Sequence, residues 1–152
     1  MSGFCFTLYP PAARAAPPAH DGIILVLGDE LQDQDEDFGT NASLFVYMGT
    51  ADSPAARNAD FVLPVTTFAE EEGSFVNVQG RVQRFLQGLQ APGYARPAWL
   101  VLGALAGALR GEGTPASAAE AFDRVVAAHA AFSGLTWEAI GDAGARLEAA
   151  HA

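Results

Sequence analysis

The sequence predicts an α/β domain of three layers, with a small, mostly parallel sheet, helices on both of its faces and a helical C-terminal part. Two short runs, Ile23 to Leu27 and Leu44 to Met48, are continuously apolar rather than alternating, the pattern of strands covered on both faces. A Ser-Pro helix start stands between the second run and a third, Phe61 to Leu63, and so brief a spacing suits a β-α-β crossover. From Ala98 onward the apolar residues recur at helical spacing, so strands come first and helices last.

The elements follow in order. Residues 10 to 19, PPAARAAPPA, are rich in Pro and Ala; Pro fixes φ and lacks an N–H, so an extended lead-in is expected over residues 1–21. Residues 22–152 are expected to form a single α/β domain. Ile23 to Leu27 is the first strand, ended by a turn at Gly28-Asp29-Glu30, and an acidic loop, DQDEDFG, comes next. Leu44 to Met48 is the second strand. Ser53 then supplies an N-cap and Pro54 a first helical residue for a short helix through about Asn58. Phe61 to Leu63 is stopped by Pro64. Between Thr66 and Phe85 the pattern is irregular: Ser74 to Val76 reads as a short strand, and Gln79 to Phe85 as either a strand or a packed loop. Trp99, Leu100, Leu102, Leu105, Ala106 and Leu109 mark a buried helix ending at Arg110. A second helix is expected over Glu120 to Phe132, and a third from about Trp137 to Ala150 behind a cap at Leu135-Thr136.

Composition limits the function classes. Half of the 152 residues are hydrophobic and 17% are charged, a globular balance. The net charge is −10, and all eight basic residues are Arg. A strongly acidic chain repels nucleic-acid phosphate and anionic lipid heads, so neither partner is expected. The longest apolar run, Pro97 to Leu109, is too short for a bilayer, so no direct membrane insertion is expected. No basic start precedes an apolar run near Met1, and a cytoplasmic location is expected. The single cysteine, Cys5, cannot form an internal disulfide, hold a cysteine-ligated iron–sulfur cluster or build a structural zinc site.

The stretch Ala59 to Gln83, ADFVLPVTTFAEEEGSFVNVQGRVQ, is the least generic. A buried strand ends at Pro64, and three glutamates, Glu70 to Glu72, precede a turn at Gly73. Asn77 and Gly80 flank a further turn, from which Arg81 projects. Asn, Gly and Arg so placed can hold a phosphate, a carboxylate or a neighbouring loop, and the spacing does not choose among them.

ADFVLP, an acidic-Gly turn and N-x-x-G-R-x-Q together resemble the signature of the molybdopterin oxidoreductase superfamily, which includes formate dehydrogenases, nitrate reductases and the large subunit of respiratory NADH:quinone oxidoreductase (complex I). The segment Pro92-Gly93-Tyr94-Ala95-Arg96-Pro97-Ala98-Trp99 resembles that complex I subunit in particular, and the likeness extends over about residues 22 to 110. The resemblance implies that Glu72, Gly73, Asn77, Gly80 and Arg81 occupy positions that help hold a pterin cofactor in molybdenum-bearing relatives. Gln79 stands where the family more usually has Glu. The large subunit of complex I is regarded as having lost that cofactor, and its clusters lie in a cysteine-rich N-terminal region that has no counterpart here. The resemblance therefore implies a non-catalytic structural or assembly domain, with no cofactor in this chain and a vestigial molybdopterin-type site. Its partners would be other peripheral-arm subunits or the rest of the large subunit, at the cytoplasmic face of the membrane. A ligand-binding module with a residual pterin- or nucleotide-like pocket is the alternative.

Other patterns carry less. Asp33, Asp35 and Asp37 alternate like a calcium loop, but the sixth and twelfth positions hold Phe38 and Leu44 instead of Gly and Glu. The three glutamates read as a solvent-facing loop, since no nucleophile or basic partner is spaced beside them. His20, His129 and His151 are scattered, without a metal-ligand partner on a shared face. Gly103 and Gly107 form a small-xxx-small pair, expected to let its helix approach a sheet closely.

Overall fold

The computed structural model describes residues 21–28 and 37–147. The lead-in, Cys5, His20, most of the acidic loop and His151 lie outside them. The α/β class is borne out, and the chain divides into two compact units.

The first unit takes described residues from 21–67 together with 91–96. Strands β1 (Ile23–Leu27), β2 (Leu44–Gly49) and β3 (Phe61–Pro64) form a parallel sheet in the order β1-β2-β3. Between β2 and β3 runs α1 (Pro54–Asn58). The buried Ser53 hydroxyl accepts from the Ala56 N–H at 3.1 Å, and Pro54 opens the helix, as the sequence predicts. The crossover is closed by a two-way bond: the Phe45 N–H donates to the Asp60 carboxylate at 2.8 Å, and the Asp60 N–H to the Phe45 carbonyl at 2.9 Å. Register aligns Ile24 with Phe45 and Val26 with Tyr47, so these four share a face. Phe38, Ala42, Ala56 and Ala59 close over that face, and the core here is Phe45, Tyr47 and Ala56. Pro64 is tolerated because β3 is an edge strand.

The second unit takes described residues 68–90 and 97–147. Strands β4 (Gly73–Val76) and β5 (Arg81–Phe85) form an antiparallel hairpin, and β6 (Ala145–Arg146) adds to the far edge of β5. The stretch left open as strand or loop is thus a strand. The face of β5 that carries Val82 meets Phe122 and Ile140, with Val126, Phe132, Leu135, Trp137 and Leu147 around them. The helices are α2 (Ala98–Arg110), α3 (Ala118–Ala128) and α4 (Trp137–Ile140).

Four expectations are corrected in this unit. Helix α3 starts at Ala118, one residue past its N-cap Ser117, and stops at Ala128; His129 is extended, and a 3-10 turn at Ala130–Phe132 follows. That break lets Phe132 meet the ring of Phe122 edge-on at 6.0 Å. The last helix is a single turn. Gly141, at φ 54° and ψ −165°, ends α4, and the chain extends to pair with β5 rather than coil to Ala150. Helix α2 is not a buried helix: Gly107 is its one buried residue, and Leu105 and Leu109 are exposed. Its small-residue stripe faces its own return loop, not a sheet. A Cβ at Gly103 would lie 2.5 Å from the Pro115 ring, and one at Gly107 would lie 2.7 Å from the Glu112 carbonyl.

Candidate functional site

The five signature residues all fall in the second unit, distributed along the β4–β5 hairpin. Asn77 and Gly80 bound its turn, and Arg81 opens β5. Glu72 and Gly73 lie at the other end of β4, roughly 13 Å away at about 3.4 Å per residue. The structure thus brings Asn77, Gly80 and Arg81 together and leaves Glu72 and Gly73 apart from them.

The turn is held by its own polar groups. The Asn77 side-chain oxygen accepts from the N–H of Gln79 at 2.9 Å and from that of Arg81 at 3.0 Å. The Gly80 N–H donates to the Asn77 carbonyl, and the Asn77 N–H to the Arg81 carbonyl. This is an Asx-type turn, in which a short amide side chain replaces a backbone acceptor. Gly80 sits at φ 71°, in the left-handed region. Gln79, the departure from the family pattern, is exposed at the tip.

The Arg81 guanidinium reaches the segment before β6. Its Nη1 donates to the Ala143 carbonyl at 3.0 Å and to the Gly144 carbonyl at 3.2 Å. The Leu147 N–H returns the contact by donating to the Gly80 carbonyl at 2.8 Å. Of the three partners open to an Asn-Gly-Arg turn, the described structure supplies the neighbouring loop. Gly144 is suited to that loop: it has φ +74°, and a Cβ on it would stand 2.5 Å from the Val82 carbonyl.

At the other end of the hairpin, Gly73 is buried because the Phe85 ring occupies the space a side chain would need; a Cβ would lie 2.6 Å from it. Phe85 in turn stacks on Phe75, with centroids 4.6 Å apart. The Glu72 carbonyl accepts from the Trp99 indole N–H at 3.0 Å. The Glu71 carboxylate accepts from the Ala98 N–H at 3.1 Å. The glutamates are therefore not a free solvent-facing loop: all three are half-buried, and Glu71 closes the start of α2. Next to them Arg84 donates from Nη1 to the Trp137 carbonyl at 3.1 Å and lies 5.5 Å from the Trp137 ring centroid, while its Nε is buried with no partner.

A second place went unmarked in the sequence. In the first unit, a recess of about 270 Å³ opens beside the carboxyl ends of β2 and β3, lined by Gly49, Thr50, Ala51, Asp52, Arg57 and Pro64 among others. In open parallel sheets this is where ligands bind. The signal was available: a buried strand followed by Gly-Thr-Ala-Asp-Ser-Pro and a helix. The recess carries an ion pair, Arg57 Nη2 to Asp52 Oδ2 at 3.0 Å, both side chains largely exposed. The Arg57 hydrogen bond and charge hold the Asp52 carboxyl below its ordinary range, and the same bond raises the guanidinium. Among the described residues, no group of three or more His, Cys, Asp or Glu side chains could hold a metal ion, and no helix is long and apolar enough to cross a membrane.

Comparison with known proteins adds the following. The family model described as molybdopterin oxidoreductase matches residues 13–108, a span that contains all five signature residues and the recess. The chain is similar to the alpha subunit of a formate dehydrogenase from Methanococcus maripaludis, 38% identical over 89 residues, which are 57% of this chain and 13% of that protein. It is similar to the 75 kDa subunit of NADH-ubiquinone oxidoreductase from Reclinomonas americana, 34% identical over 83 residues, 55% of this chain and 11% of that protein. It is also similar to the 78 kDa mitochondrial subunit of NADH-ubiquinone oxidoreductase from Neurospora crassa, 33% identical over 95 residues, 62% of this chain and 12% of that protein. The chain thus spans 13% or less of the length of these curated relatives.

Proposed function

This chain belongs to the molybdopterin oxidoreductase family, and from that membership we propose that it is a structural and assembly domain of the kind found in the large subunit of NADH:quinone oxidoreductase. In this reading it works within an electron-transfer complex, without a redox centre of its own. Its partners are other peripheral-arm subunits or the remainder of a large subunit, at the cytoplasmic face of a membrane. The relation to that subunit and to formate dehydrogenases is shared by the relatives.

The observation that carries the reading is how the signature turn spends its polar groups. In a cofactor-holding turn, Asn77 and Arg81 would aim donors at a ligand. Here the Asn77 oxygen takes two backbone N–H groups, and Arg81 Nη1 donates to two backbone carbonyls. A Cβ at Gly80 would meet nothing within 4 Å of the protein, and the positive φ of the turn is what favours glycine there. The turn thus directs its polar groups to its own strands and to the neighbouring loop, which supports a structural role. Affinity purification of the tagged chain from its native cell is the test. Co-purification of NADH:quinone oxidoreductase subunits is expected; a preparation lacking every one of them overturns the reading.

The recess at the carboxyl ends of β2 and β3 favours a second reading, a module that retains a nucleotide- or pterin-like pocket. The cation in its lining, Arg57, is already paired to Asp52, which weighs against a polyanionic ligand. Denaturing extraction followed by mass spectrometry separates the two: a pterin or nucleotide recovered in near-stoichiometric amount would establish the pocket.

A further inference from the structure

The antiparallel sheet of the second unit has one closed face and one open face. Val82 on β5 points into the core with Phe122 and Ile140. The residues that alternate with it, Arg81, Gln83 and Phe85, point the other way. Register sets Phe75 opposite Gln83 and Arg146 opposite Arg81, so these side chains share the open face. Phe75 is 43% exposed there, and Gln83 and Arg146 are exposed beside it.

The two ends of this face have different chemistry. At one end the Phe75 and Phe85 rings stack, with centroids 4.6 Å apart and planes 18° from parallel. The exposed side of such a stack is a flat apolar platform for a further ring. At the other end two guanidiniums stand directly opposite each other across β5 and β6, a pairing that costs stability until an anion joins it. Acidic residues outnumber basic ones by 18 to 8. Even so, among the described residues no carboxylate pairs with Arg81 or Arg146; the ion pairs join Asp52 to Arg57 and Glu120 to Arg124. The bonds of Arg81 to the Ala143 and Gly144 carbonyls both leave from Nη1, which fixes the guanidinium and keeps its other N–H donors. Between the ends the surface is low, because a Cβ at Gly144 would lie 2.9 Å from Gln83 Cγ and 3.2 Å from Arg81 Cγ. The row of Phe75 and Gln83 lies two residues from the row of Arg81 and Arg146, roughly 7 Å by the rise of a strand. A flat base joined through a sugar to one phosphate has a comparable span.

We propose that this face binds a nucleoside monophosphate, with the base stacked on Phe75 and the phosphate held between Arg81 and Arg146. The net charge of −10 limits the ligand to a single phosphate group rather than a nucleic-acid strand. The proposal rests on neither reading above: it concerns a different surface from the recess, and an assembly domain can carry it.

The test is amide NMR of the full chain titrated with adenosine 5′-monophosphate, with adenosine and inorganic phosphate as separate arms. Saturable shifts are expected at Phe75, Gln83 and Arg146, and weaker binding by each half of the ligand alone. R146A removes one cation, and F75L removes the ring while keeping apolar bulk; each is expected to weaken binding about fivefold or more. F75W should bind at least as well as the wild type, and R110A, at the end of α2, should leave binding unchanged. Spectra dispersed like that of the wild type show that the variants fold. The absence of saturable shifts overturns the proposal, as do shifts confined to residues 49–57 around the recess. Equal affinity for inorganic phosphate removes the role of Phe75, equal affinity for adenosine removes that of the arginine pair, and either result overturns the assignment.

Discussion

The Glu71 carboxylate and the Ala98 N–H are 27 residues apart in sequence and 3.1 Å apart in space. The bond does what the helix cannot do for itself, because the residue at the N-cap position of α2 is Pro97, which offers no side-chain acceptor. An anion at a helix start also complements the positive end of the helix dipole. E71A is expected to lower stability by about 1 kcal/mol, the usual cost of a lost cap. E71Q keeps an acceptor and loses only the charge, so it should lie between the two. Urea unfolding followed by tryptophan fluorescence measures both.

Gly73 and Phe85 form a size-matched pair. Substituting Ala at position 73 drives a methyl group to 2.6 Å from the ring, and Phe85 must give up its stack on Phe75 to escape. G73A is expected to cost about 1–3 kcal/mol, the range for overpacking. The double variant G73A/F85L should recover part of that loss. Additive losses in the double-mutant cycle would show that the two side chains do not compete for one space.

Arg81 ties the hairpin to the loop before β6. R81A is expected to lose about 1–2 kcal/mol, given two charge-assisted bonds that are partly exposed. The local signature is more telling than the total. The Leu147 N–H, bonded to the Gly80 carbonyl, should exchange with solvent deuterium much faster in the variant, while amides of β1 to β3 are unchanged. R81K should lie between the wild type and R81A, since both bonds leave from the single nitrogen Nη1 and an ammonium can donate to two carbonyls only where its shorter stem lets it reach them.

Glu120 gives α3 its pH response. Its carboxylate accepts from the Ala116 N–H at 2.8 Å and from Arg124 at 2.8 Å, while its own N–H donates to the hydroxyl of the N-cap Ser117 at 3.1 Å. The Ala116 bond, followed by the Arg124 contact, holds its pKa below the ordinary glutamate value. The folded group therefore binds its proton less readily than the unfolded one. Its contribution is complete above the unfolded pKa and is lost as pH falls through the depressed folded value. Helical circular dichroism during an acid titration should fall in that interval, and E120Q should flatten the response.

Much of this was legible before any coordinates. The three parallel strands, the Ser53-Pro54 start of α1 and the first residue of α2 stand where apolar continuity and capping chemistry place them. What escaped notice was non-local. Nothing near Glu71 in sequence says that its acceptor is needed at Ala98. Nothing near Arg81 says that two carbonyls await it beyond position 140. The end of α4 differs for a local reason: Ile140, Ala143 and Leu147 keep a helical spacing, but Gly141 and Gly144 at positive φ redirect the chain toward β5. In the signature stretch, which partner Arg81 chooses depends on a segment 62 residues away.

That separation has a consequence in time. The β4–β5 hairpin can close within microseconds of its synthesis, because its strands are neighbours. Its inner face, with Val82 at the centre, then waits for Phe122 and Ile140, and the Arg81 guanidinium waits for Ala143. At ribosomal speeds of roughly 5–20 residues per second, that interval lasts several seconds. An isolated two-stranded hairpin is marginal in water, so this one gains its full stability only when Phe122, Ile140 and Ala143 have been made.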